Sequence, residues 1–305
     1  LTLHTSDSTG AQVEVLTTSS ILLGPGKTFY VDSAHGSASA DGLSWATALT
    51  TIDLAIGKCT ASHGDNILVA PYHAEAIAGA TGLVADIAGV SIIGLGHGAG
   101  IPTITLGTAT AAAVTVSAAD VRLYNLKIIS DLADVAAGID AAATADGLVV
   151  ENCWLCDGGL TKELVIGVKL ATTIDNVLIK NCRFQTTISA VTGGCASAIK
   201  FVGTHTNCRI VHNNANGNYS AACIDGITGA GINVYIEDNH LVNIDTDAGL
   251  VINMKSDTTG IVVRNLCVGI LDAAVPVVGA ALAVAENYGS NALGASGIIK
   301  PAVDS

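Results

Sequence analysis

One short phrase recurs along this chain: a few apolar residues, mostly Val, Ile and Leu, interleaved with polar ones and closed by asparagine. It reads VRLYN ending at Asn125, LVVEN at Asn152, VLIKN at Asn181, RIVHN at Asn213, YIEDN at Asn239 and IVVRN at Asn265. Successive copies lie 27, 29, 32, 26 and 26 residues apart, and an earlier variant, VSIIG, ends at Gly94. Self-similarity at such a period marks a repeat architecture. Each copy has the alternation of a strand, and a second short apolar stretch follows, as in CWL at 153–155 or HLV at 240–242. Asn tolerates left-handed backbone, so it can turn the chain sharply between two strands of one coil. Asn125, Asn152, Asn181, Asn213, Asn239 and Asn265 are therefore expected to stack their amides along one axis. Helical repeats have similar periods but need amphipathic helix pairs, which these segments lack. The expected fold is all-β, a single-stranded parallel β-helix.

Composition agrees with such a coil. Of 305 residues, 50% are apolar, 13% charged and 4% aromatic, so the core is built from Val, Ile, Leu and Ala. Disorder is excluded, since it requires low hydrophobicity and dense net charge. The formal charge is −13, with 13 Lys and Arg against 26 Asp and Glu, which speaks against a sequence-independent nucleic-acid binder. Mean hydropathy is +0.55. Yet the most apolar window, 270–284, is shorter than the roughly 20 residues of a spanning helix and holds Asp272 and Pro276. No basic stretch followed by an apolar one marks a signal peptide, and a protein without a membrane partner is expected. Of eight cysteines, Cys153 and Cys182 each follow an Asn, which suggests stacked inward positions. Cys153 and Cys156 form a CxxC with no second pair at a zinc spacing. Free buried thiols, a reducing compartment, and no metal or cofactor are the expectation.

The repeat also divides the chain. Residues 1–27 lie outside it and read as an arm or docking segment. Residues 28–62 read as an opening strand and a capping helix: Ser44 caps it, Trp45, Leu49, Ile52, Ala55 and Ile56 share a face, and Gly57 ends it. Such a plug would cover the open edge of the first coil. Residues 63–283 are the parallel β-helix and 284–305 a closing segment.

Candidate catalytic groups are sparse in this reading. Glu151, Glu237 and Asp238 take comparable coil positions, but coils carrying Lys180 and His212 separate them, so no convergent carboxylate pair forms. Asp245 and Asp247 sit in a turn-like loop. Arg122, Arg183, Arg209 and Arg264 lie at differing offsets from their asparagines and make no basic column. His63, His73 and His97 fall in the first coils as hydrogen-bonding residues. Aromatic platforms for sugars look few.

Two stretches resemble a known family. FYVDSAHGSASADGLSWATALTTIDLAI (29–56) with HGDNILVAPYHAE (63–75) is similar to the opening of pectin-lyase-like right-handed β-helix proteins. Within that group, VSIIGLGHGAGIPTI (90–104) and VAENYGSNALGASGIIKPAV (284–303) look most like phage-encoded members. The resemblance implies right-handed winding. It leaves function open, because the family holds pectate lyases, polygalacturonases, tailspikes and non-enzymatic virion proteins. With no catalytic constellation in view, the leading expectation is a non-enzymatic phage structural protein, a trimeric capsid decoration (cement) protein on the head exterior. It would assemble in the host cytoplasm and dock on the major capsid lattice through residues 1–27. The alternatives are a tail fibre or tailspike that binds a host glycan, and a pectin-lyase-like carbohydrate-active enzyme.

Overall fold

Strand Arg122–Tyr124 leads to Lys127–Ser130 and then Ile139–Ala141, after which Val149–Glu151 starts the next coil. Each of these strands pairs in parallel with its counterparts one coil before and one coil after. The result is a parallel β-helix with three long sheets. The first runs from Thr28–Val31 to Leu282–Ala285 and the second from Ala74–Ile77 to Ser296–Ile298, with ten strands each; the third runs from Val84–Ala85 to Val277–Val278, with eight. This computed structural model describes residues 4–6, 12–14, 23–186, 195–245, 250–269, 277–290 and 296–298.

The alternation in sequence becomes an inside and an outside. In the first sheet Ile67, Ile92, Leu123, Val150, Ile179, Ile210, Ile236 and Val262 pair one on the next. Each is at most 1% exposed. A buried side chain of this size contributes about 1.5–3 kcal/mol, so the stacked aliphatics carry the solenoid. Among the described residues no helix is long and apolar enough to cross a membrane.

Two residues form the corner between the first and second sheets. The outer one has left-handed backbone in Asn125, Asn152, Asn181, His212, Asp238, Arg264 and Glu286, with φ between 53° and 56°. The inner one is Leu126, Cys153, Cys182, Asn213, Asn239, Asn265 and Asn287, all but buried. The six repeated asparagines thus occupy two adjacent columns. Asn125, Asn152 and Asn181 hold the outer corner, while Asn213, Asn239 and Asn265 sit one residue further on and point inward. From Asn181 the next corner residue is His212, 31 residues on, and counting to Asn213 slips the phase by one.

Only the inner column is an amide ladder. Asn213, Asn239 and Asn265 each donate Nδ2–H to the Oδ1 of the next, the last to Asn287, at 3.0, 2.9 and 2.9 Å. The main-chain N–H of Cys182 caps the row on Asn213 Oδ1 at 2.9 Å. A second, exposed row of left-handed asparagines, Asn176, Asn207 and Asn233, links side chains at 3.2 and 2.8 Å just before the first-sheet strands.

The capping helix differs from expectation. It spans Ile52–Ile56 and is capped by Thr51, whose Oγ1 accepts from Leu54 N–H at 3.3 Å. Ser44 instead precedes a 3-10 turn, Trp45–Thr47, and its hydroxyl meets Thr47 Oγ1 at 2.9 Å. The cause is Leu49, which is drawn into extended pairing with the opening strand: its N–H donates to Tyr30 O and its carbonyl accepts from Asp32 N–H, both at 2.8 Å. Leu49, Ile52 and Ile56 are buried as expected of a plug, whereas Trp45 is exposed and meets Tyr30 edge-on. The end of the supposed arm lies against the first coil: Asn66 Oδ1 accepts from Gly24 N–H at 2.8 Å and Asp65 Oδ1 from Lys27 N–H at 2.7 Å. All eight cysteines are free, and seven are buried.

Candidate glycan-binding groove

The second sheet turns one column outward just past the corner: Ala74, Thr103, Lys127, Trp154, Arg183, Asn214, His240, Leu266 and Tyr288. Each from Lys127 on stands two residues after its outer corner residue. In the middle, Lys127 Nζ lies 4.4 Å from the Trp154 ring centroid and Arg183 Cζ lies 4.8 Å from it on the neighbouring coil. An indole face attracts a cation through its quadrupole, by about 0.5–1 kcal/mol at a surface. Trp154 therefore holds two cations one coil to either side of itself.

These cations differ from most others in the chain. Arg122 pairs with Glu151, Arg209 with Glu237, Lys200 with Asp225, and Arg264 with Asp238, at 2.6–2.8 Å. Lys127 and Arg183 have no carboxylate within 4.0 Å among the described residues. Arg183 donates to Gln185 Oε1 at 2.9 Å. The Trp154 indole N–H is enclosed and has no partner among the described residues. Two clefts flank this row. One of about 480 Å³ is lined by Lys127, Trp154, Cys156 and Asp157, and one of about 550 Å³ by Asn181, Arg183, His212 and Asn214. Both linings include Gln185 and Thr186, so the two adjoin as one groove along the outward column.

One carboxylate, Asp157, lines the first cleft. Asp157 follows strand Trp154–Cys156 and accepts from Leu164 N–H at 2.9 Å. Burial pushes the Glu163 carboxyl above the usual range, and the charges of Asp134 and Asp157 push the same way. Its Oε2 is enclosed with no partner among the described residues.

The other sequence candidates are placed elsewhere. Glu151 and Glu237 share a column on the outer face of the first sheet, with Lys180 and Val211 between them, and both are tied to cations. Asp238 is locked to Arg264. Asp245 N–H donates to Asn243 Oδ1 at 3.0 Å, and Asp247 lies outside the described residues. Arg122 and Arg209 do share a column, separated by Val149 and Leu178. His73 is buried in a structural relay, whereas His63 and His97 are exposed. No group of three or more His, Cys, Asp or Glu among the described residues is placed to hold a metal ion. Lys127 and Trp154 lie outside the recurring asparagine phrase, so that phrase alone does not mark them. Their common offset of two from Asn125 and Asn152, shared by Arg183 after Asn181, was the signal.

No protein-family profile matches this chain, and no curated protein does. Among solved structures, a rhamnogalacturonan lyase matches with a TM-score of 0.43 at 13% identity, over 86% of this chain and 87% of that one. A GH136 lacto-N-biosidase from Eubacterium ramulus matches with a TM-score of 0.42 at 15% identity, over 79% of this chain and 56% of that one. Both are enzymes by name. The expectation of a non-enzymatic chain is corrected accordingly. That expectation rested on Glu151, Glu237 and Asp238 forming no convergent pair.

Proposed function

We propose that this chain is a carbohydrate-active β-helix that holds an acidic glycan lengthwise along the outer face of the second sheet. The observation that carries this is Trp154 fixing Lys127 and Arg183, two cations with no carboxylate partner among the described residues, in a chain of net charge −13. Elsewhere such a protein repels polyanions, so local unmatched cations are what an acidic sugar needs. The two cations stand two strand spacings apart, roughly 10 Å, about the length of a disaccharide. The exposed Asn214 amide offers hydrogen bonds to hydroxyls.

The test is calorimetric binding of uronate oligosaccharides against neutral ones of equal length. Uronates should bind, with affinity falling steeply with salt and at least about tenfold in Lys127→Met and Arg183→Met. Equal binding of neutral sugars, or indifference to both substitutions, would overturn the reading.

A further inference from the structure

Tyr72 is the most exposed large apolar side chain among the described residues, at 75%. It also has left-handed backbone, φ 62°. His212, Arg264 and Glu286 take the same left-handed conformation at the outer corner; what sets Tyr72 apart is a large ring that adds nothing to the core. The surroundings hold the ring in place. Tyr72 N–H donates to Gly100 O at 3.0 Å. A Cβ built on Gly100 would come within 3.5 Å of the tyrosine Cζ and 3.6 Å of Cε2, so glycine backbone lies close beneath the ring. The next residue, His73, is pinned from both sides: its Nδ1 accepts from Ser33 N–H at 3.0 Å and its Nε2–H donates to Glu75 at 3.1 Å. The ring is supported from below and open outward.

Its place in the winding gives the occupant. Tyr72 lies two residues before Ala74, which heads the outward column of the groove. Trp154 stands three strands further on, roughly 14 Å. We infer that Tyr72 is a stacking platform for a sugar ring, extending the groove beyond Lys127 toward the start of the coil. An aromatic face of this kind suits the apolar face of a pyranose. The inference rests on the groove being the glycan site.

Oligomer length separates the two ideas. Uronate oligosaccharides just long enough to span Lys127 and Arg183 should bind wild type and Tyr72→Ala alike. Longer oligomers should gain roughly two- to tenfold in wild type, keep the gain in Tyr72→Phe, and lose it in Tyr72→Ala. Tyr72→Gly relieves the backbone, so it should fold at least as stably as wild type and still lose the gain. A length gain that survives in Tyr72→Gly, or no gain in wild type, overturns the platform. Insensitivity of the short oligomers to Lys127→Met and Arg183→Met overturns the groove instead.

Discussion

Asn239 donates twice to one atom of its neighbour: its main-chain N–H and its Nδ2–H reach Asn265 Oδ1 at 3.0 and 2.9 Å. Its own Oδ1 accepts the same pair from Asn213, and its Nδ2–H also reaches Ile210 O. Every polar atom of the buried amide is thereby satisfied. Asn239→Ala strands two donors of Asn213 in the interior, and each buried group left unpaired costs about 1–3 kcal/mol. A loss of about 3 kcal/mol is expected, read as a lowered midpoint in urea with unchanged slope. Asn152→Ala, at the half-buried outer corner, should cost about 1–2 kcal/mol through its backbone alone.

Acid stability should report the Arg264 bridge. Hydrogen bonding from Arg264 Nε and Nη2, both at 2.8 Å, holds the Asp238 carboxyl below its ordinary value of 3.8. A depressed carboxyl contributes stability above its unfolded pKa and loses it as pH falls through the folded one. Wild type should therefore exceed Asp238→Asn in thermal midpoint by a small, constant margin at neutral pH, small because both side chains face solvent. The margin should shrink as pH falls below 3.8 and vanish once the folded-state carboxyl is protonated. Glu163 runs in the opposite sense: its raised carboxyl is destabilising once ionised, so Glu163→Gln should be neutral in acid and stabilising near pH 7. A margin for Asp238→Asn that persists in acid would contradict this assignment.

Thiol chemistry gives an independent check on the inward columns. Burial pushes Cys156 and Cys208 up to about 11 and Cys267 up to about 12. The half-buried Cys59 is also pushed to about 12, by burial and by Asp65. The thiolate is the reactive form. Native protein at pH 8 should react with a disulfide reagent over hours, and unfolding in guanidinium should release all eight thiols within minutes. Rapid native reaction of more than one or two would place those cysteines outside the core.

The winding was legible because period-two burial and a left-handed corner leave marks that a single strand phrase carries, as in LVVEN. What escaped was phase. Asn is acceptable both at an outer corner, where Asn181 satisfies the backbone, and at an inner one, where Asn213 needs amides above and below. The letter is the same and the physical demand differs, so one residue of slip went unseen between Asn181 and Asn213. That slip hid the outward column, since Lys127, Trp154 and Arg183 align only when corners are counted. The capping helix was misplaced for a related reason. Helical periodicity over 45–56 cannot reveal that Leu49 finds main-chain partners in the strand Thr28–Val31.

The plug is fastened by one carboxylate. Glu75 Oε2 accepts the first helical N–H, from Ile52, at 3.0 Å and the His73 Nε2–H at 3.1 Å, and His73 Nδ1 in turn accepts from Ser33 N–H at 3.0 Å. Three segments distant in sequence meet at this buried relay, and the accepted bond from Ser33 fixes His73 as the neutral Nε2–H tautomer. A helix of five residues is too short to hold itself, so its attachment depends on such contacts and on Ile52 and Ile56. Glu75→Ala removes the acceptor and leaves the Ile52 N–H and the His73 N–H buried without partners, at a local cost of about 2–4 kcal/mol. Hydrogen exchange should then accelerate at Ile52 and Ser33 while the amides of Leu123 and Val150 keep their protection. Glu75→Gln, which retains an oxygen for one of the two donors, should fall between. Uniform loss of protection along the whole rod would mean that the plug and coils unfold as one unit, and the relay would then be no separate fastening.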